Sequence, residues 1–313
     1  MPDIVIAFFV LGLIAGIVKS DLKMPGQIYE ILTILLMLSI GIKGGLALHS
    51  DSQSIIWGQL LAIMSLGFII PFALLPILNK IIKLPTADAI SLAAHYGSVS
   101  AGTFAVAWAL AESYQLPISA DATLYLVILE LPAIILMLAF YHWRTSNGGE
   151  GAKMSAIWHE AFTSRGVILL MGGVAIGWLY GPEGLGAIKT LVIDGFTLLL
   201  ALFLLEMGLT TARICRPLPR EHWRLILFAA LAPLIMIWPG ILLGVFLNLP
   251  VGSILILGAL SASASYIAAP AAIRAAIPEA NISKAMLAAL GVTFPLNVIL
   301  YIPVAAHLLS VHL

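Results

Sequence analysis

Apolar residues run through this chain in blocks too long for a soluble helix or strand, and polar residues gather in short groups between them. A bilayer core of about 30 Å takes roughly 17 to 25 apolar residues per helix, and with that window the chain reads as ten spans. The first five lie at about 4–19, 26–48, 54–78, 86–111 and 121–143, the second five at about 165–181, 187–211, 223–247, 251–276 and 284–309. The expectation is an all-α membrane protein with ten transmembrane helices. Met1-Pro2-Asp3 supplies no basic segment ahead of the first span and no small-residue cleavage pattern follows, so that span reads as a retained helix, not a signal peptide.

Basic residues orient the spans. With the N-terminus outside, the odd-numbered connections collect Lys19, Lys23, Lys80, Lys83, Arg144, Lys153, Arg165, Arg213, Arg216, Arg220, Arg224, Arg274 and Lys284. Lys189 falls outside and Lys43 inside span two, so 13 of the 15 Lys and Arg share one side. The positive-inside rule then places both termini on the outer face. The connection at 144–164, with Ser146-Asn147-Gly148-Gly149, reads as a short cytoplasmic linker between residues 1–143 and 165–313. Composition agrees with the span pattern: 61% of residues are apolar and 10% charged, too little polar surface for a water-soluble chain of 313 residues. Balanced charge, 15 basic against 15 acidic residues, excludes nucleic acid as a partner, and the single Cys215 excludes an intramolecular disulfide and a Cys-rich transition-metal site.

The two halves match. Leu84-Pro85 corresponds to Leu249-Pro250, and at the same offset of 165 Gly97-Ser98-Val99-Ser100 lies over Ala262-Ser263-Ala264-Ser265. Glu130-Leu131-Pro132 lies over Thr293-Phe294-Pro295, Gly12 to Gly16 over Gly173 to Gly177, and Gly45-Leu46 over Gly208-Leu209. Five spans per repeat is an odd number, so the second repeat would be inverted in the membrane, an architecture of secondary transporters.

Spans four and nine are interrupted at equivalent points, by 94–103 (Ala-His-Tyr-Gly-Ser-Val-Ser-Ala-Gly-Thr) and by Ser261-Ala262-Ser263-Ala264-Ser265-Tyr266. Serine competes for its own backbone and glycine loosens it, so each span is expected to unwind at its centre. Two facing breaks would aim helix N-termini at one midplane volume, where backbone N–H groups and hydroxyls hold an anion without Arg or Lys. Small residues also serve close helix packing, the alternative for these segments. Glu130, followed by Leu131-Pro132, with Thr293, Asn297 and Ser261, offers hard oxygen ligands suited to Na⁺. Lys43, Asp194 and Glu206 read as ion-pair or interface residues, and Glu30 and Asp88 as solvated residues near the cytoplasmic edge. No enzyme motif emerges: the spacing around Ser98 is not Gly-x-Ser-x-Gly, and His159-Glu160 lacks a second His four residues on. With no ATP-binding motif either, the driving force would be an ion gradient, with no organic cofactor.

The strings AAHYGSVSAGTFAVA (93–107), LELPAII (129–135) and SASASYIAAPAAIR (261–274) resemble the sodium-dependent bicarbonate transporter family over essentially all ten spans. The resemblance implies a Na⁺/bicarbonate symporter in the inner membrane of a bacterium, a homotrimer whose core domain (helices 3–5 and 8–10) moves in an elevator-like manner against a gate domain (helices 1, 2, 6 and 7). It places the anion at Ser98, Ser100, Ala101, Gly102 and Thr103 with Ser263 and Ser265. Family members of cyanobacteria carry a longer linker and bind a cytosolic PII-like regulator; the linker of about 20 residues here leaves that partner open, and with it the substrate. A sodium- or proton-coupled carrier of another small anion and a non-transporting membrane receptor for such a regulator stand as alternatives.

Overall fold

The computed structural model describes residues 4–50, 56–145, 163, 165–186, 188–215 and 222–312. The linker expected at 144–164 lies almost wholly outside these residues, as do both chain ends. The described residues are helical and contain no strand. In chain order they form α1 (Ile4–Ile17), α2 (Gly26–Ser50), α3 (Trp57–Pro76), α4 (Thr86–Gly97), α5 (Ala101–Ser113), α6 (Ala122–Glu130) and α7 (Pro132–Thr145). There follow α8 (Arg165–Gly184), α9 (Phe196–Ile214), α10 (Trp223–Phe246), α11 (Val251–Ser261), α12 (Ala268–Ala276) and α13, which opens with Ile282–Met286 and closes with Ile302–His312.

Among the described residues, seven helical stretches are long and apolar enough to cross a membrane: Gly26–Ser50, Trp57–Ile81, Ala122–Thr145, Arg165–Gly184, Phe196–Ile214, Trp223–Phe246 and Ile282–Val311. Two more apolar helices, Ile4–Ile17 and Val251–Ser261, are shorter. The remaining expected span, the fourth, consists of α4 and α5 with the break between them. Large apolar side chains such as Leu61, Ile69, Ile235, Leu242 and Phe246 point outward, a surface that water would not tolerate and lipid does.

Proline explains where several helices stop or loosen. Pro85 and Pro250 cap α4 and α11 with nearly the same extended backbone (φ −52, ψ 150 and φ −56, ψ 147). Two residues before each, Lys83 and Asn248 adopt positive φ of 64 and 53, so the matched Leu-Pro dipeptides close matched turns. Pro132 has no N–H for the helix it would continue, and the chain breaks at Leu131 between α6 and α7. Pro295 is absorbed differently: π-helical turns at Leu287–Thr293 and Asn297–Tyr301 flank it inside α13.

Packing divides the helices into two groups. α1 lies along α9, α2 lies along α8, and α2 and α9 also touch. These contacts run through glycine: a Cβ on Gly41 would stand 2.5 Å from the Leu170 carbonyl oxygen, one on Gly45 2.7 Å from the Trp178 nitrogen, and ones on Gly12 and Gly208 would collide with the Leu205 and Phe9 carbonyls. In the second group α4 packs on α3 and α7, α11 on α10 and α5, and the π-helical part of α13 on α10. The two groups meet along the face that carries the breaks.

Candidate functional site

At the end of α4 the chain leaves helical geometry at Ser98 (φ −88, ψ 174) and re-enters it after Ser100 (φ −116, ψ 120). At the end of α11 it does the same between Ala262 and Ile267. The two breaks touch: the Ser100 N–H donates to Ser263 Oγ at 3.1 Å, and the Ser265 N–H to the His95 carbonyl at 2.7 Å. The N-termini of α5 and α12 and the C-termini of α4 and α11 therefore meet in one buried volume, with positive helix ends available to an anion and carbonyls to a cation.

The four serines of the breaks divide into two kinds of role. Ser98 Oγ donates to the Glu130 carbonyl (2.7 Å) and Ser263 Oγ to the Leu260 carbonyl (2.7 Å). Ser100 Oγ instead accepts the Thr103 N–H (3.1 Å) and Ser265 Oγ the Ala269 N–H (3.2 Å), each capping the helix that follows. A serine hydroxyl has one hydrogen and two lone pairs. Ser98 and Ser263 have spent that hydrogen on backbone; Ser100 and Ser265 give theirs to no backbone carbonyl among the described residues.

A cavity of about 10 Å³ opens at this crossing, on the scale of one water molecule. It is lined by Ser100, Ala101, Ser265, Ala268, Val99, Ile267, Met37, Tyr266 and Glu130, and by no basic residue. The geometry can hold a small anion on N–H and O–H groups once the breaks part or Tyr266 turns. Tyr266 is the residue the sequence reading passed over. It is 6% exposed, and its hydroxyl lies beside Ser100 and Gly102, where a Cβ on Gly102 would be. A tyrosine within a run of Ser and Ala was the signal available for it. Its ring meets Phe294 edge-on (centroids 5.3 Å), and Phe294 meets Phe9 of α1 in the same manner (5.8 Å).

The sequence model of the Na⁺-dependent bicarbonate transporter superfamily matches residues 4–310. The chain belongs to this superfamily. No curated protein matches the chain. The superfamily is one of transporters, not enzymes, and with seven membrane-length apolar helices this member is a multi-pass membrane protein.

Of the residues expected to hold the anion, Ser100, Ala101 and Ser265 lie in the cavity wall with Gly102 against Tyr266, while Ser98, Ser263 and Thr103 tie the breaks and the helix start together. The four expected cation ligands do not converge on one cavity. Ser261 Oγ donates to the Met236 and Gly258 carbonyls (2.7 and 2.9 Å), and Thr293 Oγ1 donates to the Ala229 carbonyl (2.7 Å) beside the Tyr96 hydroxyl (2.6 Å). Both hydroxyls are thus committed to fastening α11 and α13 to α10. Asn297 donates through Nδ2 to the Ala262 carbonyl (2.8 Å), and among the described residues neither its Oδ1 nor Glu130 Oε2 has a hydrogen-bond partner.

Lys43 and Glu206 are paired. Lys43 Nζ lies 3.4 Å from Glu112 and 4.1 Å from the Phe196 ring centroid, and Arg213 lies 3.3 Å from Glu206. Asp194 is exposed, and Glu30 is exposed with Arg165 at 3.9 Å. Asp88 corrects an expectation: it is not solvated but 4% exposed, holding Lys284 Nζ at 2.7 Å and the Asn281 N–H at 2.8 Å, because α13 begins directly over α4.

Proposed function

We propose that this superfamily member couples Na⁺ to bicarbonate as a symporter working by alternating access. The observation that carries the reading is the crossing itself: two helix N-termini and two capping serines face one buried cavity with no Lys or Arg in its wall. That is a cradle of donors without a basic residue, able to bind a singly charged oxyanion and release it again. For Na⁺ the available oxygens are Asn297 Oδ1 and the carbonyls exposed at the end of α11.

An inverted repeat underlies the reading, supported by three coincidences at matched positions. The left-handed residues Lys83 and Asn248 precede matched Leu-Pro turns; Ser98 and Ser263 donate to carbonyls while Ser100 and Ser265 cap helices; and the glycine contacts pair α1 with α9 and α2 with α8, which the repeat interchanges. In this reading α1, α2, α8 and α9 are the gate domain and the other helices the core domain that slides against it, within a homotrimer in a bacterial inner membrane.

Uptake of isotope-labelled inorganic carbon into proteoliposomes at alkaline pH, under an inward Na⁺ gradient against an equal K⁺ gradient, tests the proposal. Accumulation with Na⁺ above the K⁺ control is expected. Equal uptake under both gradients, in protein shown to be folded, refutes symport.

A further inference from the structure

The cavity at the crossing contains one group that a site for anions would ordinarily exclude. Glu130 is 5% exposed, its Oε2 has no hydrogen-bond partner, and it shares the cavity wall with Ser100, Ala101, Ser265 and Tyr266. Its other oxygen lies against Gly166 of α8, 2.5 Å from where a Cβ would stand, and Glu130 makes no ion pair among the described residues. Glu130 thus shares a wall with the donors and has no cation paired with it among the described residues.

An ionised carboxylate accepts hydrogen bonds and donates none. Placed beside an aprotic anion it brings lone pair against lone pair, and a buried unpaired charge is among the costliest arrangements in a low-dielectric site. Bicarbonate differs from nitrate, formate and carbonate in one respect that matters here: it carries a single negative charge together with an O–H. We propose that Glu130 is a specificity-determining residue that selects a protonated oxyanion, accepting the substrate's O–H while the α5 and α12 N-termini with Ser100 and Ser265 hold its remaining oxygens. This rests on the anion site proposed above and deepens it. The site takes a monoanion with a hydrogen to give, and rejects planar anions of the same size that have none. A pocket built to hydrogen-bond a substrate hydroxyl rejects the analogue lacking it by factors that reach about 10⁴, so a bicarbonate-to-nitrate preference of at least about 100-fold is expected.

The test is competition in proteoliposomes under a Na⁺ gradient, with labelled bicarbonate, unlabelled nitrate and formate, and the wild type beside Glu130→Gln and Glu130→Asp. Wild-type uptake should resist a roughly 100-fold excess of nitrate. Glu130→Gln, which offers an amide N–H where the carboxylate offered only acceptors, should lose the preference to within about tenfold. Glu130→Asp keeps an acceptor and should retain it. Binding in detergent gives a readout that survives loss of flux: nitrate should raise the melting temperature of Glu130→Gln but not of the wild type. An unchanged preference in Glu130→Gln, or a wild type that nitrate inhibits as strongly as bicarbonate does, overturns the inference. So does a Glu130→Gln variant that loses only its Na⁺ dependence, which would give the carboxylate to the cation. Absence of Na⁺-driven bicarbonate flux in the wild type instead refutes the symport reading, and this inference with it.

Discussion

The division of labour among the break serines is open to a sharp test, because two residues of the same type in the same loop should fail differently. Replacing Ser100 by alanine removes the cap on the Thr103 N–H, 3.1 Å away, and a hydroxyl in the cavity wall. The cap is worth about 1 kcal/mol to folding. A hydrogen bond to a charged group contributes about 1.5–3 kcal/mol, so losing the hydroxyl should raise the bicarbonate KM roughly 10- to 150-fold. Ser265→Ala, which uncaps Ala269, should behave alike. Ser98→Ala removes a donor from the buried Glu130 carbonyl at 2.7 Å and nothing from the cavity wall. It should therefore cost about 1–3 kcal/mol of stability through the orphaned carbonyl and leave KM within a few-fold of wild type. Initial uptake rates against bicarbonate concentration, with thermal unfolding in detergent on the same preparations, separate the two effects. Ser100→Thr, which keeps cap and hydroxyl, should restore most of the affinity. A KM rise in Ser98→Ala equal to that in Ser100→Ala, or no rise in Ser100→Ala, refutes the binding role of the Ser100 and Ser265 hydroxyls.

Three further outcomes follow from the packing. Gly45→Leu puts a side chain where the Val174 carbonyl and the Gly177 Cα already stand, and overpacking at this contact should cost at least about 1–3 kcal/mol, read as an earlier aggregation temperature in fluorescence-detected gel filtration. Asp88→Asn leaves Lys284 half buried without its carboxylate and should lower stability by about 3 kcal/mol, whereas a surface pair such as Glu30 with Arg165 should be worth less than about 1 kcal/mol; a thermal shift of equal size in both would contradict the burial argument. Cysteines at Lys43 and Glu112, placed in a Cys215→Ala background, join α2 to α5 and so the two helix groups. A short bifunctional thiol reagent should arrest uptake there, and undiminished flux in fully cross-linked protein would show that the two groups do not slide past each other.

Much of the architecture was legible because lipid imposes a simple rule. Backbone polar groups must be satisfied within each segment, so the apolar blocks become helices and their interruptions become breaks. The breaks at 98–100 and 262–267 fell where Ser and Gly accumulate, and the like turns ahead of them where Leu84-Pro85 and Leu249-Pro250 set the backbone. What sequence does not encode locally is the direction of a hydroxyl hydrogen. Ser98 and Ser100 are two residues apart in one loop, yet one faces the carbonyl of Glu130 and the other the N–H of Thr103, an outcome decided by which neighbour the fold brings alongside. The expected cation set does not converge for the same reason: Ser261 and Thr293 look like free oxygen ligands until α10 brings the Met236 and Ala229 carbonyls alongside. Pro233 removes the N–H that the Ala229 carbonyl would otherwise accept within α10.

The match between halves also shows where symmetry must give way. Glu130 and Thr293 occupy equivalent positions, each two residues before a proline, but the chain treats the two prolines differently. Pro132 breaks its helix beside the cavity, with the Glu130 carbonyl held by Ser98 and its carboxylate against Gly166 of α8. Pro295 is carried within a helix by two π-helical turns, and Thr293 turns away to Ala229 and Tyr96. Two identical halves would present either two carboxylates or none. Two carboxylates would repel any anion, and none would leave the site unable to tell bicarbonate from nitrate. On the selectivity proposed for Glu130, one carboxylate and one hydroxyl spent elsewhere leave a cradle with a single acceptor among donors, a pattern complementary to an anion bearing a single O–H.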